Sequence, residues 1–395
     1  MAPGEIVTCK VDLAMVHDSS GPRRLKPMLE RLGAKVWDAS KVVVITDHYV
    51  PEYDDESRKI LRIARDWVRE AGIDNFYDGQ GICHIVLPER GHLRPGMFAV
   101  GGDSHSPTGG AFAAYMFGIG ATEMLGVMVT GEIWLKTPHT IAMEFDGEFA
   151  RGVSAKDVML FLIGRFGLDG GQYQAVEYRG PAIRKLGMQE RMTLCNMTAE
   201  LGGQTGLIAS DSVTEEFLKR NVAIWDSDAD APLLARHRFD ARDLPPQVAA
   251  PHSPANTRSA EEFKDVKIDL AYIGACTGAK LADLRMAAQV FKGRKARVKL
   301  LVAPASLRDQ QAAEREGTLK ILLDAGAELL ANSCGMCAGY GALLLAEDAV
   351  AISTTARNFK GRMGTASAQV YLASPYTVAA SAISGRISDP RTILQ

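Results

Sequence analysis

The hydrophobic pattern of the chain repeats one cycle: a short β-branched run, a polar or glycine-rich loop, then apolar positions at helical spacing. Residues 41–46 (KVVVIT) end at Asp47-His48, and residues 97–101 (MFAVG) run into GDSHSPTGG. Residues 269–275 end at Cys276, after which Leu281, Leu284, Ala288 and Phe291 recur at roughly helical spacing. Residues 298–303 predict another strand, followed by a helical stretch near 310–325. Residues 327–331 lead to SCGMCAGYG, and residues 349–354 lead to ARNFKGR. Such alternation predicts α/β layers with largely parallel sheets. In sheets of this kind, loops at the carboxyl ends of strands converge on a shared crevice. Every polar motif quoted above falls in such a loop.

A chain of 395 residues predicts two or three domains. Residues 226–262 are rich in Asp, Pro, Ala and Ser and predict a linker ahead of a C-terminal α/β domain. A softer boundary falls near residues 138–147, and no internal repeat is visible. The balance of 47% hydrophobic and 23% charged residues is that of an ordinary globular protein. A net charge of −2 gives no broad electrostatic reason to bind nucleic acid or anionic lipid. An anionic substrate would therefore have to be held by a few placed cations. The first 18 residues alternate polar and apolar positions and contain no uninterrupted h-region, so no signal peptide is expected. The most apolar stretch, residues 109–134, is interrupted by Glu123 and Glu132, so no transmembrane helix is expected either. A cytoplasmic location is the resulting expectation.

Six cysteines in such a chain argue against a disulfide framework. Cys9, Cys83 and Cys195 sit among apolar neighbours and fit inert packing. Cys334-Gly-Met-Cys337 fits a redox pair, half a zinc site or part of an iron–sulphur site. A zinc ribbon needs a second C-x-x-C, which the chain lacks. Adding Cys276 gives three soft ligands, which suit a four-iron cubane with one iron open. Three buried thiols remain an equal reading on spacing alone.

His17-Asp18, Asp47-His48 and Asp103-Ser104-His105 place a carboxylate beside a histidine or two residues from it, and His84 stands alone in GICHIVLPE. A carboxylate bonded to imidazole fixes its tautomer and raises its basicity, which suits proton transfer to a leaving hydroxyl. A Ser/His/Asp triad within DSH is not expected, because the adjacent side chains of Ser104 and His105 normally diverge. Arg357 and Arg362 bracket a turn, where two guanidinium forks suit carboxylates or a solvated basic loop. Gly101-Gly102 and Gly109-Gly110 match no nucleotide-binding fingerprint.

In order along the chain, KVDLAMVHD, TDH, GICHIVLPE, GGDSHSPTGGAF, CNMTAELGG, PPQVAAPHSP, IGACTGAKLADLR, SCGMCAG and TARNFKGRMG resemble the aconitase superfamily. Within it they resemble the large subunits of the 3-isopropylmalate dehydratase and homoaconitase group. The resemblance implies three α/β/α domains around a shared cleft, at residues 1–143, 144–262 and 263–395. It implies a [4Fe–4S] cluster on Cys276, Cys334 and Cys337, with Asn196, Thr277 and Asn358 in its environment. Asp47, His48, His84, Asp103, His105 and Glu200 fall on catalytic and orienting positions, and His17, Ser104, Arg357 and Arg362 on substrate-binding ones. The implied reaction is reversible dehydration or isomerisation of a small 2-hydroxy di- or tricarboxylate. The first candidate is 3-isopropylmalate, with homoaconitate, citramalate or dimethylmalate chemistry as alternatives. A non-catalytic iron–sulphur sensor or RNA-binding regulator is the rival from another class, and a zinc-dependent lyase is a third. The family's fourth, swivelling domain has no room in this chain. A small-subunit partner carrying a serine base and a further arginine is therefore implied. Two departures stand out: Gly278 replaces the usual Asn after Cys-Thr, and Ala356 replaces the Asn before Arg-Asn-Phe.

Overall fold

A computed structural model describes residues 2–394 of the chain. The first of its three larger sheets is wholly parallel and contains Leu13–His17, Val42–Thr46, Phe76–Asp78, Phe98–Gly101 and Tyr115–Gly118. Leu13–His17 and Val42–Thr46 are buried at every position. A parallel strand covered on both faces must be a continuous apolar run, which is why KVVVIT was legible. The helix Asp55–Ala71 starts on a reciprocal Asp54–Ser57 capping box and stops at Gly72, whose left-handed backbone ends it.

Numbered along the chain, the strands of this sheet lie in the order third, second, first, fourth, fifth. The second sheet holds Thr140–Asp146, Ala175–Arg179, Thr205–Leu207 and Ala235–Asp240, in the order third, second, first, fourth. The third contains Leu270–Ile273, Lys299–Val302, Ala327–Leu329, Val350–Ser353 and Gln369–Ala373, and repeats the order of the first sheet. Doubly wound sheets of this order have a crevice between strands one and four, where successive connections leave in opposite directions. In the first sheet that switch point lies between His17 and Asp103; in the third it lies between Cys276 and residues 354–357. One strand order used three times is a structural repeat with no counterpart in the sequence.

Most expected strands are present with ends trimmed by one or two residues. The helical stretch near 310–325 is two helices, Leu307–Arg315 and Thr318–Asp324, separated at Gly317 with φ +84°. The expected linker at 226–262 is a larger error. It contains Ala235–Asp240, which joins the second sheet, and Gln247–Ala249 and Thr257–Ser259, which add two antiparallel strands to the third. The boundary expected after residue 143 cuts through the strand Thr140–Asp146, and that expected after 262 separates Gln247–Ala249 from its own sheet. Among the described residues, no helix is long and apolar enough to cross a membrane.

The first and third units touch directly beside the crevice. Ile82 N–H donates to Ala305 O at 2.8 Å, Leu307 N–H to Gln80 O at 2.9 Å, and Cys334 N–H to Asp47 O at 2.9 Å. Gly81 makes this approach possible, since its φ is +130° and a Cβ there would lie 2.5 Å from Ser306 Cα. Gly81→Ala is expected to cost about 2 kcal/mol or more through backbone strain and overpacking. Urea unfolding measures this, and an unchanged midpoint would refute the close-approach argument.

Candidate active site

The strand-end loops of the first sheet bring four histidines and three aspartates together. Asp18, fully buried, accepts the N–H groups of Asp47, His48 and Tyr49 at 3.2, 3.1 and 2.7 Å. This fixes the loop after the second strand. Asp47 then accepts Cys83 N–H at 2.8 Å and binds His48 Nδ1 at 2.6 Å. His48 stacks on His17 with ring centroids 4.0 Å apart. Asp103 Oδ1 binds His84 Nε2 at 2.7 Å and accepts His105 N–H at 2.8 Å. Its other oxygen lies 3.7 Å from His17 Nε2 and 3.9 Å from His48 Nε2. The isolated His84, in the first turn of the helix Cys83–Glu89, thus finds its carboxylate on a strand-end loop 19 positions along the chain.

Glu200, from the second unit, accepts from His105 Nε2 at 3.0 Å and from Arg357 Nε at 2.6 Å on the same oxygen. Burial raises a carboxylate's pKa, but His105 and Arg357 outweigh it and bring Glu200 down to about 2. Burial likewise opposes ionisation of Asp103, yet His84, His105 and His17 hold its pKa well below the carboxylate range. His105 moves the other way, since burial and Arg357 disfavour its charged form more than Glu200 restores it. Burial also opposes charge on His48, but Cys334 and Asp47 beside it lift its pKa.

The third unit presents the cysteines. Cys276 follows the strand Leu270–Ile273, and Cys334 and Cys337 lie on a tight turn after Ala327–Leu329. All three are buried. Burial and the charge of its two fellow cysteines push the Cys276 thiol well up, and burial takes Cys334 to about 12 despite His48. Buried thiols that raise one another's pKa resist losing three protons together unless a cation compensates. Asn196 donates to Cys276 Sγ at 3.2 Å and to Thr108 Oγ1 at 2.8 Å. Its Oδ1 is buried without a partner, as are Glu200 Oε2 and Arg362 Nε. Three soft donors, mutual repulsion and partnerless polar atoms around them fit a thiolate-bound metal group.

Ser104 is exposed, and Arg362 is half-buried. Arg357 spends its Nε on Glu200, which leaves its terminal nitrogens for a ligand. Asn358 bonds Ala250 O and Val370 O and braces the arginine turn onto the third sheet. Thr277 lies beneath the cysteine loop and donates to Thr354 O at 2.8 Å. Sequence reasoning missed Lys156, whose ammonium group is buried under the same loop as that of Lys280. The one available signal was a lysine opening an otherwise apolar helix, in SAKDVMLFLIG.

The aconitase family (aconitate hydratase) matches residues 2–265 and 256–385. The chain belongs to the aconitase family. Membership implies an iron–sulphur cluster, which the three cysteines are suited to hold. A 3-isopropylmalate dehydratase large subunit of Methanopyrus kandleri is 43% identical, covering 99% of this chain and 95% of its own length. A probable methanogen homoaconitase large subunit of Methanosarcina mazei is 45% identical, covering 97% and 99%. A 3-isopropylmalate dehydratase large subunit of Moorella thermoacetica is 40% identical, covering 100% and 95%. The crystal structure of Thermococcus kodakaraensis aconitase X in its holo form has the same fold at 15% identity, with a TM-score of 0.55 over 91% of this chain and 87% of that one.

The depressed carboxylates predict how this aconitase-family site responds to acid. An unfolded glutamate titrates near 4.3. Glu200 therefore contributes its full stabilisation above that pH and loses it as pH falls through its native value of about 2. The shift corresponds to a stabilisation on the order of 3 kcal/mol at neutral pH. Glu200→Gln should be less stable than the parent at pH 7 and nearly matched to it at pH 2. Denaturant unfolding across that range tests this, and a stability gap independent of pH would contradict it.

Proposed function

We propose that this chain is the large subunit of a [4Fe–4S]-dependent hydro-lyase that interconverts small 2-hydroxy polycarboxylates, with 3-isopropylmalate as its substrate. One observation carries the proposal: the loops bearing the three buried thiols pack against those bearing the histidine–carboxylate pairs, through Cys334 N–H on Asp47 O and through Asn196, which bonds Cys276 Sγ and Thr108 Oγ1. Nearly full-length relatives above 40% identity, named as dehydratase or homoaconitase large subunits, support it.

Cys276, Cys334 and Cys337 would hold the cluster, which would supply a Lewis acid for the substrate's C–OH bond. The terminal nitrogens of Arg357, with Arg362, hold substrate carboxylates; a carboxylate so held acidifies the adjacent C–H. Asp47 and Asp103 fix the tautomers of His48 and His84, and Glu200 does the same for His105. One histidine of this set delivers a proton to the departing oxygen. His17, stacked on His48, lines the substrate side, and Ser104 sits at the rim. Asn196 steadies Cys276, while Thr277 and Asn358 brace the loops behind it. A small subunit supplies the serine base that takes the carbon-bound proton and a further carboxylate-binding arginine. On this reading the chain alone turns over no substrate.

Cys334→Ser is expected to lose iron and sulphide and to abolish turnover when combined with the small subunit. Metal analysis of anaerobically purified protein and a spectrophotometric assay on 3-isopropylmalate and homoaconitate measure both. Turnover by an iron-free protein would sink the mechanism, and a single bound zinc would favour a zinc-dependent lyase. Faster turnover of homoaconitate would transfer the assignment to the homoaconitase branch, whose relative is equally similar.

A further inference from the structure

Lys156 opens the helix Ala155–Phe166 of the second unit and is 2% exposed. Its ammonium has three protons and finds three acceptors: Thr277 Oγ1 at 3.2 Å, Thr354 O at 3.0 Å and Thr355 O at 2.6 Å. The first acceptor follows Cys276, and the other two precede Arg357. None of them is charged, and Lys156 makes no ion pair among the described residues. Lys280, equally buried, does have a counter-ion in Asp283 at 2.7 Å.

This is an expensive place for a cation. Burial penalises the charge and brings the Lys156 pKa down to about 8, and a helix N-terminus carries positive potential of its own. The negative groups that favour its charged form are Glu200, Cys276 and Cys337. Glu200 is already bonded to His105 and Arg357. Lys156 itself reaches the cysteine loop through Thr277, the residue after Cys276, so the charge left to balance it is that of an anionic group held on that loop. Thiolate ligation leaves an iron–sulphur group anionic, and nearby charge and hydrogen bonds set its potential.

We propose that Lys156 is the built-in counter-cation of the anionic group held by Cys276, Cys334 and Cys337, a positioning residue that favours its loading and raises its reduction potential. The proposal rests on the cluster reading above.

The test compares the full-length parent, Lys156→Met and Lys156→Arg, purified without oxygen. Iron and sulphide in the parent come first; their absence overturns the cluster reading itself, before any variant is considered. With the cluster present, redox titration followed by electron paramagnetic resonance is expected to place Lys156→Met at a more negative potential than the parent. Lys156→Arg is expected to stay near the parent. Equal potentials for the parent and Lys156→Met overturn the counter-cation role. If Lys156→Met does not retain the cluster, thermal unfolding of the cluster-free proteins decides. The proposal expects cluster-free Lys156→Met to melt no lower than the cluster-free parent, because an uncompensated buried charge has been removed. A clear drop in that melting temperature would make Lys156 a hydrogen-bonding strut and overturn the proposal.

Discussion

All three units of the chain meet at one carboxylate oxygen. Glu200 comes from the second unit, His105 from the first and Arg357 from the third, and Glu200 Oε1 accepts from both partners. A buried carboxylate is tolerated only when its charge is matched and its lone pairs are used. The match here fixes relative positions across the cleft. Moving the second or third unit outward would strand Glu200 and Arg357 as unpaired buried charges, and moving the first would remove Glu200's second donor. The cysteines of the third unit and the histidines of the first are thereby held facing one another. Cys334 N–H on Asp47 O adds a direct backbone bond between them.

The sheets explain why the polar groups lie where this bond can form. Doubly wound order opens a crevice at the carboxyl ends of strands one and four. In the first unit those ends carry His17 and Asp103; in the third they carry Cys276 and the loop to Arg357. Both crevices contribute to one cleft, and Asp47-His48 and Cys334 come in from neighbouring strand ends. Chemistry is thus assembled from loops whose positions are set by buried apolar strands. The helix that bears Lys156 meets the floor of this cleft from the second unit.

Much of this was legible in the sequence for a definite reason. Parallel strands buried on both faces are apolar runs that stop abruptly at a polar loop, so each run pointed to the polar residues that the structure gathers at the cleft. The stretch 226–262 misled because its strands are marginal. Ala235–Asp240 reads ARHRFD, an edge strand with alternate side chains in solvent, and Gln247–Ala249 and Thr257–Ser259 are only three residues each. Pairing to existing sheets makes them strands, which local composition does not record. The partnership of His84 with Asp103 and that of Glu200 with Arg357 were hidden likewise, since tertiary approach alone creates them. Lys156 escaped because Lys-Asp at a helix start looks like an ordinary solvated first turn.

The two departures from the family pattern take on a different meaning in three dimensions. A Cβ at Gly278 would lie 2.1 Å from Thr354 Cβ, so no asparagine fits while Thr354 keeps its place. Thr354 Oγ1 accepts Gly274 N–H and donates to Gly274 O, each at 2.8 Å. The slot is therefore filled by a hydroxyl that serves the loop's backbone and not the cysteines. Ala356 is fully buried and adds no polar group either. Asn196 Nδ2 is left as the one side-chain donor to Cys276 Sγ among the described residues. With fewer dipoles aimed at the sulphurs, a fixed charge becomes the stronger means of stabilising negative charge on them, because its field falls off more slowly with distance. That is the setting in which a buried lysine, bonded to the Thr354 carbonyl and to Thr277, belongs.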